Sequence, residues 1–256
     1  MRPVQGILAA ACIGIVAGIG SAWAQTQLQP QSQPPSSPPR VLQVPEFPRE
    51  FVGLPEFDTA TRKQVGATAF VAKLDSGPDH WLFSVRHRLD DLDPAQVRDI
   101  FFKPFVGGAP FSLNVSFLPI PAAQAAPSTP LADLLIFRLV SFPPHESLHF
   151  AAADPAVGDN VWIIGRMKSD TPDMPPIHPA RISAVPQTKG DPSQWLVADF
   201  YDPTIESWGS GGAPVLNAAG EIVGVHSIHR TIDGKTQALI IPVSLIRSLL
   251  NSPAAP

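Results

Sequence analysis

Three short segments carry residue types that together can transfer an acyl group. The first ends in His87, the second begins at Asp133, and the third is a glycine-rich turn, residues 209–215, that contains Ser210. Acyl transfer needs a histidine to accept a serine proton, a carboxylate to fix the tautomer of that histidine, and backbone N–H groups to bind the oxyanion. The residue types and the order of the three segments predict His87 as general base, Asp133 as its orienting acid and Ser210 as nucleophile.

These segments lie in a chain whose apolar runs are short and broken by Gly, Pro and Asp at fairly even intervals, a pattern typical of an all-β sandwich or a pair of barrels. Helical spacing occurs only near residues 94–100, for about a turn, and over residues 243–250. The spacing places His87 at a strand end, Asp133 at a strand start and the glycine-rich turn before a hairpin with Gly220 at its tip. The candidate strands are residues 66–74, 81–87, 111–118, 134–140, 160–165, 180–185, 195–200, 221–227 and 236–242.

Composition excludes several other classes. Hydrophobic residues make up 44% of the 256 and charged residues 16%, which favours a folded chain over a disordered one. With 18 Lys and Arg against 22 Asp and Glu, the net charge of −4 gives no footprint for nucleic acid. The single cysteine rules out a disulfide framework, and the histidines lack metal-ligand spacing, so we expect neither metal nor cofactor.

The N-terminal part divides into two segments. Residues 1–24 have a basic start, an apolar run and small residues at Ala22 and Ala24, which predicts an export signal cleaved after Ala24 and a secreted or periplasmic protein. Cleavage would remove the only cysteine and leave no membrane span. Residues 25–49, rich in Gln, Pro and Ser at their start, are predicted to be a tether, and residues 50–256 the folded domain.

The three segments resemble those of the trypsin-like, chymotrypsin-fold serine peptidases, in particular the exported bacterial branch without disulfides. Residues 84–87, Ser-Val-Arg-His, resemble the family's T-A-x-H; residues 132–135, Ala-Asp-Leu-Leu, resemble its aspartate segment; residues 209–215 resemble its G-x-S-G-[GAS]-P-V turn. The resemblance implies two six-stranded antiparallel β-barrels, about residues 60–142 and 143–241, with the site in the cleft between them. It further implies a C-terminal helix, about residues 242–251, and a protein or peptide substrate.

The glycine-rich turn can be aligned with the family pattern in two registers. Without a gap, Gly211 stands at the nucleophile position and Ser210 falls one residue early. With one inserted residue before Pro214, Ser210 becomes the nucleophile, and glycine's conformational freedom makes such a bulge feasible. The sequence leaves both registers open.

Each register predicts a different function. The first hypothesis is an exported serine endopeptidase with the triad His87, Asp133 and Ser210 and an oxyanion hole built from the amides around Trp208, Gly209, Ser210 and Gly211. The alternative is an inactive pseudoprotease that keeps the cleft as a peptide-binding or scaffolding surface, with Gly211 in place of the nucleophile.

One further residue suggests substrate preference. His226, followed by Ser227, comes after the hairpin that lines the primary specificity pocket in this family, and residues 224–226 resemble the G-[IV]-H segment of glutamyl endopeptidases. The resemblance implies that His226 and Ser227 bind substrate and that the P1 residue is Glu or a small polar residue, because a protonatable imidazole can pair with a carboxylate.

Overall fold

The structure is a computed structural model that describes residues 42–74, 77–89, 91–121, 124–126, 129–142, 146–171, 174–186, 194–232 and 234–251. The predicted export signal and the tether up to residue 41 lie outside the described residues. Within the described part of the chain, no helix is long and apolar enough to cross a membrane.

The first half of the domain folds into a six-stranded barrel. Strands β1, β5, β6, β7, β4 and β3 are neighbours in that order, and pairing of β1 with β3 closes the barrel. A short strand, β2, pairs with the end of β1, and β8 runs parallel to β3. The strands are β1 Val52–Asp58, β2 Lys63–Val65, β3 Ala69–Lys73, β4 His80–Val85, β5 Asp99–Pro104, β6 Phe111–Phe117, β7 Leu134–Leu139 and β8 Leu148–His149.

The second half forms another closed, antiparallel six-stranded barrel in the order β10-β11-β14-β13-β12-β9. The prediction of two six-stranded barrels is therefore confirmed. These strands are β9 Asn160–Ile164, β10 Ile177–Ala184, β11 Leu196–Phe200, β12 Pro214–Leu216, β13 Ile222–Ile232 and β14 Lys235–Pro242.

Apolar side chains fill both barrels and the layer between them. Phe83 of the first barrel and Trp162 of the second belong to one buried cluster. Helix α1, Val243–Leu250, packs on this cluster through its buried Val243, Ile246 and Leu249. Each such side chain stabilises the fold by about 1.5–3 kcal/mol when fully buried. Because the cluster contains residues of both barrels, the helix, which was predicted from residues 243–250, joins the two barrels.

Several elements differ from the prediction. The strand expected over residues 81–87 ends at Val85, and Arg86–Arg88 form a 3₁₀ turn closed by a bond from Leu89 N–H to the Arg86 carbonyl. The turn expected near residues 94–100 is limited to Pro94–Gln96, after which the chain extends into β5. Strands β1, β2 and β5 were not predicted, because charged residues or prolines interrupt their alternation of apolar and polar residues, and β8 was not predicted because it has only two residues.

The last part of the predicted tether is packed on the domain. Leu42 and Phe47 contact the buried cluster between the barrels. The carbonyl oxygen of Glu46 lies so close to Gly220 that a Cβ there would be 2.2 Å from it, and Gly220 has φ +80°. Gly220 therefore permits both the hairpin turn and the approach of this segment.

Candidate active site

His87 and Asp133 meet because the two strands that carry them pair in a fixed register. In the antiparallel pair of β4 and β7, Val85 lies opposite Leu134. His87 follows β4 by two residues and Asp133 precedes β7 by one, so both lie at the same end of the pair. The structure thus brings together the histidine and the acid that the sequence analysis selected.

Asp133 holds His87 through backbone and ring. Nδ1 of His87 lies 3.0 Å from Oδ1 and 2.9 Å from Oδ2 of Asp133, and the His87 backbone N–H donates to Oδ1 at 2.9 Å. Since Asp133 accepts from Nδ1, Nε2 is left as the ring's proton acceptor. The His87 side chain is 37% exposed, so this nitrogen is accessible from the cleft.

Ser227 is a third member of this group. Its hydroxyl donates to Oδ2 of Asp133 in a short hydrogen bond. The family resemblance implied a substrate-binding role for Ser227, and this contact with Asp133 was not predicted from the sequence. The contact was hard to predict, because Ser227 and Asp133 are 94 residues apart in sequence and are brought together by β13. The only indication of a role for Ser227 was its position next to His226.

The glycine-rich turn is fixed by hydrogen bonds from both barrels. Thr68 N–H donates to the Gly211 carbonyl at 2.9 Å, and Gly212 N–H donates to the His226 carbonyl at 2.7 Å. Gly212 has φ +89°, and a Cβ on it would lie 2.1 Å from the Thr68 carbonyl oxygen. Only glycine fits there without a shift of the backbone.

Ser210 is buried within this turn and bonded away from the cleft. Its hydroxyl donates to the Ser207 carbonyl at 2.6 Å and lies 3.2 Å from Nδ1 of His226. The residue has 0% exposure. The structure therefore pairs Ser210 with Ser207 and His226, and no hydrogen bond joins its hydroxyl to His87 among the described residues.

Gly211, the next residue, is the one that faces His87. A Cβ built on Gly211 would lie 3.3 Å from Cε1 of His87, 3.1 Å from Cγ2 of Val85 and 3.0 Å from the Ser227 carbonyl oxygen. Its φ lies outside the left-handed region, so the backbone there is accessible to other residues.

The predicted oxyanion donors differ in their hydrogen bonds. The Ser210 N–H donates to the Ser207 carbonyl in a long bond of 3.4 Å. The N–H groups of Gly209 and Gly211 have no acceptor in the described part of the chain. Gly209 and Gly211 therefore provide the pair of available amides beside His87, while Trp208, 59% exposed, packs edge-on against His229 with ring centres 5.3 Å apart.

A cavity of about 390 Å³ adjoins this group and is lined by His87, Trp208, Gly211, His226 and Ile228, among others. Its volume falls in the range of small-ligand sites, about 300–1,000 Å³. The cavity and the two available amides could together hold one side chain and one carbonyl group of a polypeptide.

His226 lies in the wall of this cavity. Burial lowers the pKa of His226 to about 4, so its imidazole is neutral at pH 7. Nδ1 lies 3.2 Å from both Oγ and the carbonyl oxygen of Ser210, while Nε2 is buried without a hydrogen-bond partner in the described residues. At neutral pH, His226 therefore carries no positive charge that could pair with a carboxylate in the cavity.

The remaining polar clusters do not assemble a metal site. Among the residues that the structure describes, no three His, Cys, Asp or Glu side chains are placed to bind a metal ion. His178 is buried, with Nε2 at 3.1 Å from Asp170 and from the Gly165 carbonyl, and burial lowers its pKa. Its contacts connect the loop after β9 to β10.

Comparisons with known proteins agree with this geometry. The trypsin-like peptidase domain matches residues 67–225. The active form of the Rv3671c protease from M. tuberculosis is 19% identical, with a TM-score of 0.54 over 81% of this chain and 82% of that chain. A serine endoprotease from Yersinia pestis is 17% identical, with a TM-score of 0.52 over 79% of this chain and 62% of that one. At such identities these structures share the fold alone. No curated protein matches the sequence.

Proposed function

The chain belongs to the trypsin-like peptidase domain family, and we propose that it is a member that binds polypeptides in its cleft without cleaving them. The observation that carries the proposal is the place of Gly211. A side chain at residue 211 would lie beside the His87 imidazole, but glycine has none. A general base with no hydroxyl to deprotonate cannot form an acyl-enzyme.

The contacts of Ser210 support the same conclusion. To attack a carbonyl, its hydroxyl would have to leave the Ser207 carbonyl and reach the position that Gly211 occupies. A displacement of about 1 Å in a catalytic group is enough to cost about a hundredfold in rate. The gap-free register of the turn, with Ser210 one residue early, is the one these contacts favour.

The rest of the cleft supports binding. The amides of Gly209 and Gly211 can donate to a carbonyl oxygen of a bound chain, and the 390 Å³ cavity can take a side chain. Ile228, 42% exposed, contributes apolar surface to that cavity. In an active peptidase, backbone amides of this kind bind the substrate carbonyl, and they need no nucleophile to do so.

A serine endopeptidase remains the second candidate, because one observation favours it. The pair of His87 and Asp133 is intact, with three contacts of 2.9–3.0 Å and a further bond from Ser227. This arrangement is the one that activates a serine. Activity would require the turn to rearrange so that the Ser210 hydroxyl reaches Nε2 of His87.

Binding and cleavage are separated by one experiment on a soluble peptide library. The purified protein is incubated with the library, retained peptides are identified after gel filtration, and cleavage products are sought by mass spectrometry. We expect retention without cleavage. Ile228→Arg, which fills the cavity, should abolish retention, and the matched variant Ile232→Arg, at an exposed position further along the same strand, should not. Cleavage that is lost in Ser210→Ala would instead establish the peptidase.

We also propose that the protein is exported, on the basis of residues 1–24 alone. The N-terminal sequence of the protein recovered from the producing cells tests this. A mature chain that begins at Gln25 in the periplasm or medium supports export, and a cytosolic chain that retains residue 2 contradicts it.

A further inference from the structure

A second cavity, of about 540 Å³, also touches His87 and Gly209. Its other walls come from residues 62–67 and from Arg88. Three cationic side chains, those of Arg62, Lys63 and Arg88, line it, and none of its described lining residues is a carboxylate. This local excess of positive charge contrasts with the net charge of −4 of the chain.

Two of these cations are already compensated. Arg62 lies 2.8 Å from Asp91, and Lys63 lies 3.2 Å from Asp58 and 3.5 Å from Glu56. These pairs are at the surface, where solvent screens them. Among the residues that the structure describes, they leave Arg88 as the lining cation without an ion-pair partner.

Arg88 has the environment of a ligand-binding group. Its Nε is fully buried and has no hydrogen-bond partner, and no carboxylate lies within ion-pair distance of Arg88 among the described residues. Buried donors in folded proteins nearly always have a partner. Arg88 follows His87 directly and lines both the 540 Å³ and the 390 Å³ cavities, so a polypeptide bound at His87 would pass beside it.

We propose that Arg88 binds the carboxylate of an acidic side chain in the polypeptide that occupies the cleft. A guanidinium presents paired N–H donors that match the two oxygens of a carboxylate, and one uncompensated cation balances one carboxylate charge. The proposal rests on the proposed function, because it names a side chain of the same bound polypeptide. It makes acidic peptides the preferred ligands of the cleft.

The test compares matched peptides on matched variants. A fluorescein-labelled decapeptide retained by the wild-type protein is made with Glu and with Gln at each position in turn, and its dissociation constant is measured by fluorescence polarisation. At one position, Glu should bind about tenfold tighter than Gln. Arg88→Gln should abolish this ratio, whereas Arg86→Gln should preserve it, because Arg86 is an exposed residue of the same turn that lines neither cavity.

A third variant separates the paired N–H donors of the guanidinium from its positive charge. It also provides a folded comparison in case Arg88→Gln misfolds. Arg88→Lys keeps the charge, so it should retain part of the Glu preference with an unchanged circular dichroism spectrum. Equal binding of Glu and Gln peptides by the wild-type protein, or a Glu preference that survives in Arg88→Gln, overturns the role of Arg88 while polypeptide binding stands. If the wild-type protein retains no peptide of either kind, both this inference and the proposed function fail.

Discussion

A Cβ atom on Gly211 would lie 3.3 Å from Cε1 of His87, which makes residue 211 the position that faces the imidazole. The hydroxyl of the neighbouring Ser210 instead donates to the Ser207 carbonyl at 2.6 Å. The proposed base and its orienting acid therefore lie in contact, while the residue that faces the imidazole carries no hydroxyl. We propose that this one residue makes the difference between a peptidase and a binding protein.

Ser210→Ala should lower stability, because Ser210 acts as an internal hydrogen-bonding group. The substitution removes the bond to Ser207 and one contact of His226 in a fully buried site, so we expect a loss of about 1–2 kcal/mol. Urea unfolding measures it. Ser112→Ala, at an exposed position in β6, is the control and should change stability little. Equal stability of Ser210→Ala and the wild-type protein would contradict the buried role.

Gly212→Ala should be among the most damaging single substitutions in the domain. A Cβ there meets the Thr68 carbonyl at 2.1 Å, so the backbone that joins the turn to the first barrel would have to move. We expect a loss of about 3 kcal/mol or more. Gly107→Ala is the matched control, because Gly107 also has a positive φ, +71°, but open space around it, and about 1 kcal/mol is expected there. Similar losses at both glycines would show that φ alone matters.

Stability should fall as the pH drops below about 6.5. Burial lowers the pKa of His226 to about 4 in the folded protein, so between these two values the unfolded chain binds a proton that the folded protein does not. The stability from neutral His226 is thus fully present above about pH 6.5. On the order of 3 kcal/mol should be lost by about pH 4.

Urea unfolding at pH 7 and pH 4.5 measures this loss. His226→Gln should reduce the difference in unfolding free energy between the two pH values, leaving the part that His178 and His80 supply through their own lowered pKa values. An unchanged difference in His226→Gln would show that His226 is not the titrating group.

Gly211→Ser should confer peptide hydrolysis, since it puts a hydroxyl beside His87 on a backbone that serine can adopt. The Ser227 carbonyl and Val85 must yield by a few tenths of an ångström, at 3.0 and 3.1 Å from the new Cβ, so we expect slow turnover. In this background, Asp133→Asn should reduce the rate about a thousandfold or more, because the amide favours the wrong tautomer of His87. Release of a fluorogenic peptide amide measures both. Equal rates with Asp133 and with its Asn replacement would contradict the role of Asp133.

The two-barrel architecture could be predicted from the sequence. The position of Gly211 beside His87 could be predicted only as one of two registers of the turn. Alternating and short apolar runs indicated most strands, and the spacing of Val243 to Leu250 predicted helix α1. Strands such as β1 were missed, because Pro55 and Glu56 interrupt the apolar run, yet tertiary pairing on both sides keeps it extended.

The pairing of His87 with Asp133 follows from strand register, and the order of motifs indicated it. The register of the glycine-rich turn, residues 209–215, could not be predicted in the same way. Whether Ser210 or Gly211 faces His87 depends on bonds from Thr68 and His226, which are distant in sequence. The binding role that we propose for Arg88 likewise has no sequence signal, because it is inferred from the absence of a hydrogen-bond partner for Nε among the described residues.

A fluorophosphonate probe, followed by mapping of the adduct, determines whether the folded wild-type protein has a nucleophile at His87. We predict no adduct on the wild-type protein or on Ser210→Ala, and an adduct at position 211 of Gly211→Ser that is lost when His87 is replaced by Ala. An adduct on Ser210 of the folded wild-type protein, absent from Ser210→Ala, would contradict the account and establish an active serine peptidase.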